Sequence, residues 1–257
     1  MNRRFRSRLH TFALATFAAM TVASCSGDAP ATIPPAHNGP RSVYVALGNG
    51  ETAGNGVPNK IRDAWPQLVY RAAFPRRTVF ANFGQSDVSV SEALRTQLVP
   101  ALALRPTVAT VDLTEDTFLT RDVPSFEAGL TTLVTRLQRG GRTLVVLGNV
   151  LPGDREPGVL ACLPDPPAGT GACQIGPIDD LAAQTANDDA FNAAIARVAE
   201  KAGAPLVDLH AAFLAARARG QEDALWAGNT FSPNQAGHAV MARAFERAIR
   251  TAQQSGS

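Results

Sequence analysis

What the sequence lacks narrows its chemistry first. It has three cysteines and four histidines in 257 residues. No histidine stands near Cys162 and Cys173, so no metal-ligand spacing is present and no metal or cofactor is expected. Basic runs are missing beyond the N-terminus. Arg3, Arg4, Arg6 and Arg8 carry more than the whole formal net charge of +2, which leaves the remainder at −2. With no basic stripe and no nucleic-acid motif, a nucleic-acid partner is excluded. No apolar run spans a bilayer: TFALATFAAMTV has only 12 residues, against about 20 for a transmembrane helix.

That 12-residue run follows a basic segment and precedes Val22-Ala23-Ser24-Cys25. This order reads as an export signal over residues 1–25, and its end resembles a bacterial lipobox with Cys25 as the lipidated residue. The alternative is an ordinary secretory signal ending near Ala23-Ser24, with Cys25 incidental. Residues 26–40 (SGDAPATIPPAHNGP) read as a semi-extended tether. The expectation is an exported lipoprotein held at the cell envelope, with its membrane partner reached through the lipid. Cys162 and Cys173 flank a turn-rich loop and are expected to pair, the alternative being two free thiols. The folded domain is placed at 41–253, and residues 254–257 are read as a disordered tail.

Within the domain, strand-like and helix-like patterns alternate. Residues 41–48, 77–83, 107–113, 143–150 and 205–209 are short Val/Leu-rich runs bounded by Gly, Pro or Asp. Phe126, Leu130, Leu133, Val134 and Leu137 share one helix face, as do Phe191, Ile195, Val198 and Ala202. A closing helix carries Val240, Met241, Ala244, Phe245, Ala248 and Ile249. Continuous apolar strands between helices imply a parallel sheet covered on both faces. The fold expected is a three-layer α/β/α sandwich on a five-stranded parallel sheet of order 2-1-3-4-5. Residues 151–179 form one long irregular insertion. In such sheets ligands bind at the carboxyl ends where the strand order reverses, here residues 48–51, 84–87 and 114–117.

Those places resemble the signature blocks of the SGNH (GDSL-type) ester hydrolases. Residues 44–51 (YVALGNGE) look like the first block, and 82–87 (NFGQSD) like the second. Residues 113–116 (LTED) look like the third, and 228–238 (GNTFSPNQAGH) like the last. The resemblance implies an ester hydrolase using a serine, a histidine base, an orienting aspartate and oxyanion donors. Carried over position by position, the nucleophile falls on Gly50, the base on Ser232 and its orienting acid on Asn229. The second-block glycine falls on Asp87 and the oxyanion asparagine on Glu115. Hydroxyl and base are both gone, and carboxylates stand where donors belong. The preferred reading is therefore a non-catalytic member binding a small ligand or partner. The rival is an esterase with a relocated site, for which Thr52 and Ser86 are the nearby hydroxyls.

Asn49, Gly50, Glu51, Asp87, Glu115 and Asp116 are the candidate binding residues. If their carboxyls converge, the pocket suits a cation, an amine or a sugar; otherwise some turn to solvent or cap helices. Ser232-Pro233-Asn234-Gln235 reads as a helix start with Ser232 at the N-cap and Gln235 completing a capping box. His238, on the apolar stripe with Met241 and Phe245, reads as a buried, hydrogen-bonded side chain.

Overall fold

The computed structural model describes residues 42–228 and 231–255. Cys25, the signal, the tether and Asn229 lie outside them. Five parallel strands form the sheet: β1 (Val43–Gly48), β2 (Val79–Asn82), β3 (Val108–Asp112), β4 (Leu144–Gly148) and β5 (Leu206–Val207), in the order β2-β1-β3-β4-β5. Register sets Gly48 beside Asp112, so the reversal of strand order opens between the ends of β1 and β3.

Five helices precede β3: α1 (Gly50–Ala53), α2 (Lys60–Asp63), α3 (Trp65–Ala73), α4 (Val90–Thr96) and α5 (Leu98–Ala103). Six follow it: α6 (Asp116–Leu119), α7 (Val123–Gln138), α8 (Pro157–Leu160), α9 (Leu181–Ala202), α10 (Leu209–Arg217) and α11 (Gln235–Ser255). Alternation along the strands divides the core. Val43, Val45 and Leu47 of β1 pack with α4, α5, α7 and α9, while Tyr44 and Ala46 pack with α3, α10 and α11. The α7 residues on the expected face are the ones buried, Phe126 through Leu137. Each such side chain contributes about 1.5–3 kcal/mol by leaving water.

Helix ends follow local chemistry. Asp122, Asp180 and Asp208 each accept an amide of the first turn of α7, α9 and α10, and Gly203 ends α9 at φ 59°. The Asp208 cap also shortens the fifth strand: Leu209, expected within it, begins α10.

Two expectations are corrected. The α11 cap is Asn234, whose Oδ1 accepts from the Ala236 and Gly237 amides at 2.8 and 3.2 Å. Ser232 lies two residues ahead of it. There the chain is extended, with Pro233 bridged antiparallel to Trp226 and the Ser232 carbonyl accepting from the Ala227 amide. The closing helix also continues through Gln254 and Ser255, which were read as tail. The Ser255 hydroxyl donates to the Thr251 carbonyl one turn back.

The insertion holds a 3-10 turn at Gly153–Arg155 and the single-turn α8. A Cys162–Cys173 disulfide, Cα atoms 4.6 Å apart, closes its loop. Among the described residues no helix is long and apolar enough to cross a membrane.

Candidate functional site

A cavity of about 480 Å³ opens at the carboxyl ends of β1 and β3 and is walled on its far side by the insertion and α9. Its size falls within the range of about 300–1,000 Å³ typical of small-molecule sites. Asn49, Glu51, Asp87 and Glu115, all named from sequence, line it together with Ser86 and Ser232. Gly50 opens α1 just behind this wall.

The centre of the site is the carboxylate of Glu115. Its Oε1 accepts from the Gly50 amide at 2.9 Å and its Oε2 from the Val88 amide at 3.0 Å. The Asp87 amide bonds it as well. Asp87 stands at φ 56°, in the left-handed region that favours glycine. The Asp87 amide, which the resemblance assigns to a developing oxyanion, is thus engaged by an internal carboxyl group. Gly50 is crowded from the other side by Asn55. A Cβ built there would lie 2.6 Å from Asn55 Nδ2 and 2.9 Å from Glu115 Oε1. Asn55 is held in turn, donating to Ser86 Oγ at 2.8 Å and accepting from Lys60 Nζ at 2.6 Å.

Three further carboxyls converge on the cavity: Asp112 at the end of β3, Glu156 at the head of α8 and Asp188 on α9. Burial, then the charge of Glu115, pushes Asp112 up to about 7. Burial outweighs the amide bonds of Glu115 and brings it likewise to about 7. Asp188 reaches about 7 through burial, against hydrogen bonds from Gln184 and Gly153. Burial and then the Glu115 and Asp112 charges hold Glu51 well above the usual carboxylate range. Glu156 is raised by burial and by Glu51, Asp188 and Glu115. Among the described residues, no group of three or more His, Cys, Asp or Glu is placed to hold a metal ion.

Asp116 does not join the others. Its carboxylate accepts the Val90 amide at 2.6 Å and the Thr120 hydroxyl at 3.1 Å, so it serves the start of α4 rather than the cavity. Thr52 is fully buried, tucked so closely under Gly48 that a Cβ there would fall 2.0 Å from its Oγ1. The Ser86 hydroxyl is hydrogen-bonded to the amide of Asn55, which cannot serve it as a base. His238 is fully buried: Nδ1 accepts from the Trp65 amide at 3.1 Å, and Nε2–H donates to the Asn55 carbonyl at 2.8 Å. Burial lowers its pKa to about 4, so the ring is neutral.

Asp112, Glu156 and Asp188 were missed in the sequence. Two had a signal. Asp112 ends an otherwise apolar strand at the switch point, and Asp188 continues the buried α9 stripe of Gln184, Phe191 and Ile195. Glu156 lies in irregular chain and had none.

A parallel α/β/α sandwich of strand order 2-1-3-4-5 with a cavity over the first and third strands is the arrangement of the SGNH-type hydrolases, among other doubly wound proteins. Residues 46–240 match the model of the GDSL-like lipase/acylhydrolase family, and the chain belongs to that family. Solved structures share the fold. A lipolytic protein of the G-D-S-L family from Veillonella parvula is 16% identical with a TM-score of 0.60, covering 81% of this chain and 98% of its own. LAE5, an alpha/beta hydrolase enzyme from the Lake Arreo metagenome, is 22% identical with a TM-score of 0.61, covering 80% and 94%. Axe2, an acetylxylan esterase from Geobacillus stearothermophilus, is 17% identical with a TM-score of 0.59, covering 81% and 94%. A search of curated protein sequences finds no match.

Proposed function

We propose that this chain is a GDSL-family domain retired from ester hydrolysis, which binds a small ligand or partner at the cell envelope and is anchored there through a lipid on Cys25. The observation that carries the reading is the Glu115 carboxylate, seated on the Gly50 and Val88 amides beside a residue with no side chain. Acyl transfer needs a hydroxyl, a base beside it and donors free for the oxyanion. Gly50 supplies no hydroxyl, Ser232 is not a base, and the amides are already engaged. The cavity itself persists, which favours binding over a purely structural role. The anchor rests on the order of basic segment, short apolar run and cysteine.

The test is hydrolysis of short-chain chromogenic esters by the purified full chain. Turnover no higher than a heat-denatured control is expected, and turnover well above it overturns the reading. Fatty-acid labelling that disappears in Cys25→Ala is expected for the anchor, and labelling that survives that substitution overturns it.

A further inference from the structure

We infer that the cavity takes a small organic cation, one bearing a primary ammonium whose N–H groups donate to Glu51, Asp112 and Glu156; the inference rests on the ligand-binding reading above. The three side chains line the same cavity from α1, β3 and the residue that precedes α8, at 8%, 2% and 5% exposure. Glu51 Oε2 and Asp112 Oδ2 are buried and have no hydrogen-bond partner. Such orphans are costly, and what both call for is a donor. An ammonium brings three donors, no acceptor and a positive charge, and it bonds an ionised carboxylate more strongly than the neutral hydroxyl of a sugar does.

Two further observations restrict the cation. The carboxyls are not grouped as metal ligands, which sets aside a bare metal ion among the described residues. The cavity also has an apolar side formed by Val150, Leu151, Ile175 and the tilted pair Phe118–Phe231, with ring centroids 5.6 Å apart. A short hydrocarbon chain carrying the ammonium satisfies both surfaces. Lys60 is the cation that lines the rim, and Asn55 holds its Nζ.

Proton exchange gives the inference a distinct signature. The titratable groups facing the ligand are Glu51 of α1, Asp112 of β3, Glu115 of the loop before α6, Glu156 at α8 and Asp188 of α9. Asp87 and Lys60 stand at the mouth. Asp112, Glu115 and Asp188 hold protons up to about 7, and Glu51 and Glu156 are raised as well, all chiefly through burial. A bound cation favours their ionised forms, so binding releases protons and tightens as pH rises from 6 to 8.

The experiment is titration calorimetry on the full chain with 1,4-diaminobutane, against its neutral counterpart 1,4-butanediol and against tetramethylammonium, which has no N–H. The diamine is expected to bind at least 100-fold more tightly than the diol and at least 10-fold more tightly than tetramethylammonium. Its heat should vary with the buffer as protons are released. Glu51→Gln and Glu156→Gln are each expected to weaken it at least 10-fold while the thermal melt stays cooperative. Equal binding of diol and diamine overturns the inference, as does no diamine binding by folded protein at either pH. An ester assay on the same preparation separates the two claims. Turnover there overturns the ligand-binding reading itself, whereas absent turnover with absent diamine binding overturns only the choice of ligand.

Discussion

Gly50 and Glu115 compete for one space: the Glu115 Oε1 that accepts the Gly50 amide at 2.9 Å also lies 2.9 Å from where a Cβ on Gly50 would stand. A side chain at position 50 and the carboxylate of Glu115 are therefore coupled.

The coupling makes reversal stepwise. Gly50→Ser alone must push aside the Asn55 amide and the Glu115 carboxylate, at a cost of about 1–3 kcal/mol of overpacking. Even with Asn229→Asp and Ser232→His added, the amides stay occupied and no ester turnover is expected. Adding Glu115→Asn to those three should recover stability and give measurable turnover of a chromogenic ester. Turnover in the triple variant equal to that of the quadruple would contradict the coupling.

Stability should fall as pH rises through neutrality. Burial brings Asp112, Glu115 and Asp188 up to about 7 in the folded chain and raises Glu51 and Glu156 well above the usual carboxylate range, against about 4 when unfolded. Folded-state pKa values above the unfolded ones mean that the folded chain binds more protons. This stabilisation is complete below pH 4 and is lost as pH climbs through 7 and beyond. His238 works in the opposite sense between about 6.5 and 4, but it is one group against six, since Asp116 is raised as well. Thermal melts should show Tm several degrees lower at pH 8 than at pH 5. A Tm that rises over that interval would refute the assignment.

His238 ties three elements together, bonding the Trp65 amide of α3 and the Asn55 carbonyl from its place on α11. His238→Ala leaves a buried amide without an acceptor and opens a cavity, so a loss of about 3 kcal/mol is expected in urea unfolding. A loss below about 1 kcal/mol would show the ring to be dispensable.

The disulfide governs the cavity mouth as well as the loop. Gln174 and Ile175, next to Cys173, line the cavity. Replacing both Cys162 and Cys173 by Ala should cost about 2–3 kcal/mol in the chain-entropy account of a loop this short. Comparing Tm with and without reductant checks this in the native chain, and no change would mean the loop is held by its other contacts.

The sheet was legible because its evidence is local. Val43–Gly48 and Val108–Asp112 are apolar on both faces, and the α7 stripe repeats at helical spacing. The end of the last strand was not, because Asp208 caps a helix where alternation alone reads on to Leu209. The start of α11 was misread because Ser-Pro and Asn-Gln both satisfy the rules for a helix start; the bonds of Asn234 to Ala224, Trp226 and Gly237 decide between them. At the site, positional matching brought out Gly50, Glu115 and Asp87. Which carboxyl faces which amide depends on a turn 65 residues away in sequence. No periodicity encodes that, so Asp116 was grouped with neighbours it does not join.

Glu115 also bears on which charges the chamber would tolerate. An ester hydrolase must briefly harbour negative oxygen and then let a carboxylate product depart. Here the resident carboxylate already occupies the Gly50 and Val88 dipoles, and four more acids surround the remaining space. As these groups ionise with pH rising through about 7, fatty acids, acetate and phosphate-bearing headgroups are expected to meet growing repulsion there. On the ligand-binding reading proposed above, the chamber selects cations over anions, and does so more strongly as pH rises.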